Sequence, residues 1–448
     1  MIDAATAQDR CAQLIESARR AGADSADAVA SAQSSESVSV RLGKLEDVER
    51  SESEEVGLRV FVGQRSASIQ TSDFSAAAMK ELAERAVAMA RLAPEDPYSA
   101  IADADLLASG PWADLDLEDS LEPSPADLRA RALEAEDAAR AIKGVTNSEG
   151  GSAGFGRSVA GLVTSNGFAG AYGATSHSLS ASVIAGEGSA MQRDYAWRST
   201  RHQADLPGPG EIGELAGTRA VARLNPASLK SGPMPVVFDK RVSASLLGHL
   251  IGAMSGTAIA RRSSFLLDRL REELFPAELE IHEDPLIVRG LRSHPFDGEG
   301  LPVSARALVK DRKLTGWLTN LSSARQLGIA PTGHATRGGS GAPGAGPSNV
   351  TMAAGSATRD ELIADIAEGV LVTELIGHGV NGVTGDYSRG ASGFRIVKGE
   401  IAGPVAEITV AGNLLAMFAN MIPADDLETH RAMNAPSLRV EGMTIAGE

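Results

Sequence analysis

The chain is poor in cysteine, aromatic residues, basic charge and long apolar runs. Cys11 is the only cysteine among 448 residues. One thiol excludes an intramolecular disulfide and any zinc cluster built on several cysteines of one chain, and it agrees with a reducing cytoplasm. Aromatic residues make up only 4% of the chain, whereas glycine occurs 48 times. That balance favours tight turns over a bulky aromatic core. Basic residues number 42 against 58 acidic ones, a net charge of -16. An acidic surface argues against nucleic acid as a partner, because phosphate binding needs Lys and Arg, and it repels anionic membranes. No apolar run is long enough to span a bilayer. The Met1-Ile2-Asp3-Ala4 start lacks the basic and apolar regions of a secretory signal, so a cytoplasmic location is expected.

What is present is periodic. Residues 4–21 predict a helix with Cys11, Leu14, Ile15 and Ala18 on one face and Gly22 as its stop. Cys11 reads as a small core residue. From 36 to 71 the period is two: Val38, Val40 and Leu42, then Leu58, Val60 and Val62, then Ala67 and Ile69. This predicts an antiparallel meander with turns at Gly43-Lys44 and Gly63-Gln64. A helix follows at 75–92. The same order then returns: a helix over 124–142, a meander over 145–200 turning at Asn166-Gly167, and a helix over 209–223. Two helix–meander–helix units suggest an internal structural duplication without a residue-level repeat.

Past Pro233 the pattern changes. Pro235–Asp239 predicts a strand, and a glycine-bearing helix is expected over 241–258. Its Gly248, Gly252 and Gly256 should pack closely against other backbone, since each costs about 1 kcal/mol against alanine. Further strands are expected near 278–288, 303–309, 313–319, 394–397 and 405–410, with a helix at 412–421. Residues 333–348 read as a mobile loop by composition. The fold class is α+β. Helix-plus-meander units fill an N-terminal domain, 1–228, and a β-rich C-terminal domain with the Gly-rich helix covers 229–448.

Chemistry-bearing patterns are few. There is no G-x-S-x-G elbow and no Walker phosphate loop. A zinc-protease helix carries two histidines and a glutamate; the 241–258 helix offers only His249, whose plain reading is a hydrogen-bonded histidine in a packed helix. His282-Glu283-Asp284 has metal-compatible types but reads as a solvated turn. The densest signal is Thr373–Phe394, where glycines alternate with β-branched and polar residues. Its candidates are Glu374, His378, Asp386, Tyr387 and Arg389, as walls of a peptide cavity. A structural alternative has Asp386 and Arg389 pairing across a turn to lock the loop.

These residues resemble the TldD/PmbA family, once called modulators of DNA gyrase, in its PmbA or TldE branch. The resemblance rests on Leu247–Gly252, Ser264–Asp268, Pro295–Gly300, Ser323–Arg325 with Thr332–Ala335, Gly385–Ala391 and Glu407–Leu414. It implies a cytosolic two-subunit metallopeptidase acting on unfolded or flexible peptides and peptide precursors. In that family the TldD subunit carries an HExxxH zinc motif, completed by a cysteine near its C-terminus. Here Gly248, His249 and Ala253 occupy the motif positions, and no cysteine exists in the C-terminal half. The resemblance therefore implies a heterodimer with a TldD-like subunit that holds the zinc, while this chain has no metal, cofactor or catalytic residue of its own. The alternative is a non-enzymatic homodimer that binds peptides without TldD.

Overall fold

The structure is a computed structural model that describes residues 1–447. Helix α1 (Ala4–Arg20) starts where the Asp3 side chain accepts from Thr6 N, and it buries Ala7, Cys11, Leu14, Ile15 and Ala18. Three strands follow: β1 (Ser25–Arg41), β2 (Lys44–Val62) and β3 (Arg65–Thr71). Helix α2 (Ala76–Leu92) closes the first unit. The second unit repeats the order with α3 (Pro125–Ala141), β4 (Val145–Thr164), β5 (Ala169–Ala185), β6 (Gln192–Thr200) and α4 (Pro209–Ala222).

The two units share one sheet. Its order is β3-β2-β1-β4-β5-β6, joined through the antiparallel β1–β4 pair. The first meander starts eleven residues earlier than the alternation from residue 36 suggests, because Ala26, Ala28, Ala30 and Ala32 extend β1 with small buried side chains. Ala32 lies opposite Val159 and Val38 opposite Ala153, so both helix pairs cover the same face at opposite ends of the long strands. The other face is free of helices and meets the C-terminal half.

That half is built around a second sheet. Its strands run in the order Glu400–Asn413, Asp386–Val397, Glu368–Ile376, Gly232–Phe238, Leu438–Ala446 and Met421–Pro423. A further pairing of Glu400–Asn413 with Leu438–Ala446 closes five of these strands on themselves. Helix α5 (Ala244–Ala253) packs Leu246, Leu247, Leu250 and Ile251 into the resulting core. A smaller five-stranded sheet is centred on Ile281–Asp284 and Arg306–Lys310.

Several expectations change here. The helix expected over 241–258 is two helices, Ala244–Ala253 and Gly256–Ala260, separated at Met254-Ser255. Only Gly256 is closely packed: a Cβ there would sit 2.6 Å from Thr319 Cγ2. Gly252 faces open space, and at Gly248 the nearest atom would be Met433 Cε at 3.8 Å. The strands expected near 278–288 and 313–319 shrink to Ile281–Asp284 and Lys313–Leu314, and the last helix is Leu414–Ala419. The strand expected at 394–397 is the end of a much longer one, Asp386–Val397, and that at 405–410 the middle of another, Glu400–Asn413.

Residues 333–348 are not a free loop. They contain a short hairpin, Ala335–Thr336 with Gly344–Ala345, and Ser340 is pressed so closely on β2 that a Cβ on Gly57 would meet its Cα at 2.6 Å. From the same loop Arg337 donates to Asp27 on β1 at 2.6 Å. Asp27 also accepts two hydrogen bonds from Arg59 on β2, so a fully buried carboxylate ties the two halves together. Composition cannot register such contacts, because they come from residues hundreds of positions away.

Candidate functional site

Strand alternation decides which residues of the glycine-rich stretch meet. Tyr387 and Arg389 point to one face of strand Asp386–Val397, and Asp386 to the other. Tyr387 is 1% exposed and packs edge-on against Phe238 and His249, with ring centroids 6.4 and 6.0 Å away. The Gly377–Gly385 turn brings His378 close enough for its charge to act on His249. Its Gly382 carbonyl accepts from Phe265 N at 2.9 Å, which anchors the turn to the segment after α5. His249, His378, Tyr387 and Arg389 are thus brought together from residues far apart in the chain.

The electrostatics of this group are cationic and neutral. Burial holds the His249 pKa below its usual value, with the Arg389 charge and His378 acting in the same direction. Burial pushes the Tyr387 hydroxyl up to about 12, although Arg389 pulls against it. At neutral pH both rings are therefore uncharged. His249 Nε2 is buried without a hydrogen-bond partner, and Tyr387 Oη and Arg389 Nε have no well-aligned one, although the Arg389 guanidinium lies close enough to the Tyr387 hydroxyl to act on it. The plain expectation of a hydrogen-bonded His249 is corrected at Nε2.

The other candidates lie elsewhere. Asp386 is exposed, accepts from Thr384 Oγ1 at 2.7 Å and from Asn413 Nδ2 at 3.2 Å, and its pKa is lowered by both. Asp386 and Arg389 form no ion pair across the turn, because alternation sends them to opposite faces. Glu374 pairs with Arg223 at the end of α4 at 2.5 Å. Arg223 also reaches Asp194 on β6, which Arg241 contacts at 2.6 Å. Glu374 therefore belongs to a charged network between the halves.

A zinc ion does not fit the donor set on α5. Gly248 and Ala253 have no donor atoms, His249 stands beside a guanidinium, and no group of three ligating side chains occurs among the described residues. A general acid–base pair is not evident either: the Tyr387 hydroxyl is too weak an acid, and Asp386 points away.

Sequence reasoning overlooked one unusual pair. Asp297 and Glu299 are both buried, and burial raises their pKa values to about 6 and about 7. Asp297 accepts from three backbone N–H groups, and Glu299 accepts from Leu321 N at 2.7 Å. The Pro-Phe-Asp-Gly-Glu-Gly run was visible, but nothing local reveals that both carboxyls are desolvated.

Comparison with known proteins matches this geometry to a peptidase class. Three family models cover the chain: PmbA/TldA metallopeptidase domain 1 over residues 26–90, the central domain over 118–224 and the C-terminal domain over 231–447. The chain is 39% identical over 427 residues to the metalloprotease PmbA of Escherichia coli O157:H7, covering 95% of this chain and 93% of that one. It is 38% identical over 435 residues to a metalloprotease PmbA homolog of Haemophilus influenzae, covering 97% and 94%. Its structure superposes on a putative modulator of DNA gyrase from Bacteroides thetaiotaomicron with a TM-score of 0.90 at 27% identity, covering 98% and 99%. The chain belongs to the PmbA/TldD metallopeptidase family.

Proposed function

We propose that this chain is the PmbA/TldE-like, non-catalytic subunit of a cytoplasmic TldD–TldE metallopeptidase that degrades flexible peptides and matures peptide precursors. The observation that carries this reading is the buried, unpartnered His249 Nε2, with the under-bonded Tyr387 and Arg389 beside it, on the helix where a zinc motif would stand. Buried polar atoms without partners are costly, about 1–3 kcal/mol each. A peptide backbone, which offers donors and acceptors regardless of its side chains, can satisfy them. The same positions lack ligands and base, so zinc and chemistry belong to the TldD-like partner, and this chain completes the peptide cavity. Among the described residues no helix is long and apolar enough to cross a membrane.

The test is metal analysis and peptidase assay of the purified chain, alone and mixed with a TldD-type subunit. The chain alone is expected to hold no stoichiometric zinc and to leave an unstructured peptide uncut. The mixture should co-elute as one complex and cleave in a chelator-sensitive way. Stoichiometric zinc with chelator-sensitive cleavage by the chain alone would sink the proposal. Failure to co-elute, with peptide binding retained, would favour the homodimeric binding protein.

A further inference from the structure

A cleft of about 630 Å³ opens at the junction of the two halves. Its walls are β6, the Ile287–Leu291 turn and the Glu428–Arg431 segment. The volume suits a small ligand or the end of a peptide.

Its charge runs against that of the molecule. In a chain of net charge -16 the cleft carries four arginines against two carboxylates. Both carboxylates are already engaged: Asp205 with Arg289, and Glu428 with Lys240 and His430. Arg201 spends its guanidinium on the carbonyls of Thr175, Gly290 and Leu291. Arg198 remains without a side-chain hydrogen bond, and Arg431 gives one N–H to the Arg241 carbonyl at 2.9 Å and keeps the rest of its fork, with the Glu428 charge near both. Arg198 Nη1 and Arg431 Nε are shielded from solvent and lack hydrogen-bond partners. His430 supplies no competing charge, because burial and the neighbouring arginines push its pKa down to about 4.

An unpaired, partly buried guanidinium is destabilising unless an anion completes it. Planar two-point donation to a carboxylate is what arginine does better than lysine. Beside these donors the cleft wall carries apolar side chains open to solvent: Ile287, 40% exposed, and Val288, 59% exposed. Carboxylate-seeking donors next to an apolar wall match one chemical unit, an apolar residue ending in a free carboxylate.

We infer that this cleft binds the C-terminal end of a peptide, its terminal carboxylate on Arg198 and Arg431 and its last apolar side chain against Ile287 and Val288. The inference rests on the peptide-handling reading above. It places a second peptide contact in this chain, away from the α5 face and independent of any zinc in a partner.

The experiment uses the full chain alone and measures binding of an N-acetylated hexapeptide ending in leucine, as free acid and as amide, and of N-acetyl-leucine. The free acid should bind more tightly than the amide by about tenfold or more, the worth of one charge-assisted hydrogen bond. Arg198→Gln should abolish that preference, so that acid and amide bind alike. Its unfolding midpoint should stay level or rise, since an unpaired charge is removed. Equal binding of acid and amide, no binding of either, or a preference that survives Arg198→Gln overturns the inference. A fall in the midpoint makes Arg198 structural and also overturns it. N-acetyl-leucine binding as tightly as the hexapeptide overturns the peptide as its source. Because no TldD subunit is present, failure to assemble with TldD leaves this result standing, and failure here leaves the assembly reading intact.

Discussion

Asp27→Ala is expected to destabilise the protein by about 3–5 kcal/mol, among the largest effects of any single side-chain removal. Asp27 is 2% exposed and accepts from Arg59 at 2.5 and 2.9 Å and from Arg337 at 2.6 Å. Both guanidinium groups are almost fully buried, so deleting the carboxylate strands two charges where water cannot reach them. Arg337 already has Nε and Nη2 without partners and no second acceptor to turn to. The damage should localise. Loss of the Arg337 anchor frees the loop that presses Ser340 onto β2, so amide exchange there should rise before the rest of the sheet opens. Thermal or denaturant unfolding measures the stability change. A loss below about 1 kcal/mol would show that the triad contributes little to joining the halves.

Glu299→Gln is expected to act in the opposite direction, and only at high pH. The folded-state pKa of Glu299 lies at about 7 against the 4.5 of an ordinary glutamate, raised by burial first and by Asp297 next. Below about 4.5 the carboxyl is protonated in both folded and unfolded chains, and glutamate matches glutamine. Between about 4.5 and 7 the folded protein keeps a proton that the unfolded chain gives up, so stability falls as pH rises. Above 7 the full cost of ionising a buried carboxyl is in force, on the order of 2–3 kcal/mol. Glutamine avoids that cost, and its amide oxygen can still accept from Leu321 N. The variant should therefore unfold at a higher temperature than the parent at pH 8 and at the same temperature near pH 4.5. A gain that is equal at both pH values would show that Glu299 is not a titrating group in this range. Asp27 contributes to the shift through its negative charge, so the two predictions are coupled and a double variant should not be additive.

Much of the fold was legible in the sequence. Helix α1 shows its apolar stripe, and the hairpins at Gly43, Gly63 and Asn166-Gly167 show their turn residues, because those signals lie within a few positions of one another; Met89 of α2, which its spacing would turn inward, is exposed. Cys11 reads as core and is core, against the Gly161 carbonyl. The family was also legible, since the ordered motifs are linear. The site was legible only in part. His249, Tyr387 and Arg389 stood out as residues, but nothing in the sequence shows that they converge, or that Glu374 turns to Arg223.

By itself, then, the sequence determined the α+β class, the two helix–meander–helix units and the family. Residue type and short-range spacing carry all of these. Tertiary structure decided that the two units merge through β1 and β4, that α5 ends at Ala253, and that Gly248 and Gly252 face open space. It also decided which charges are paired and which are not. Asp27 is triply bonded, Asp297 and Glu299 are desolvated, and Arg198 is left without a partner. Those outcomes depend on burial and on neighbours contributed by distant segments, and burial is a property of the packed chain.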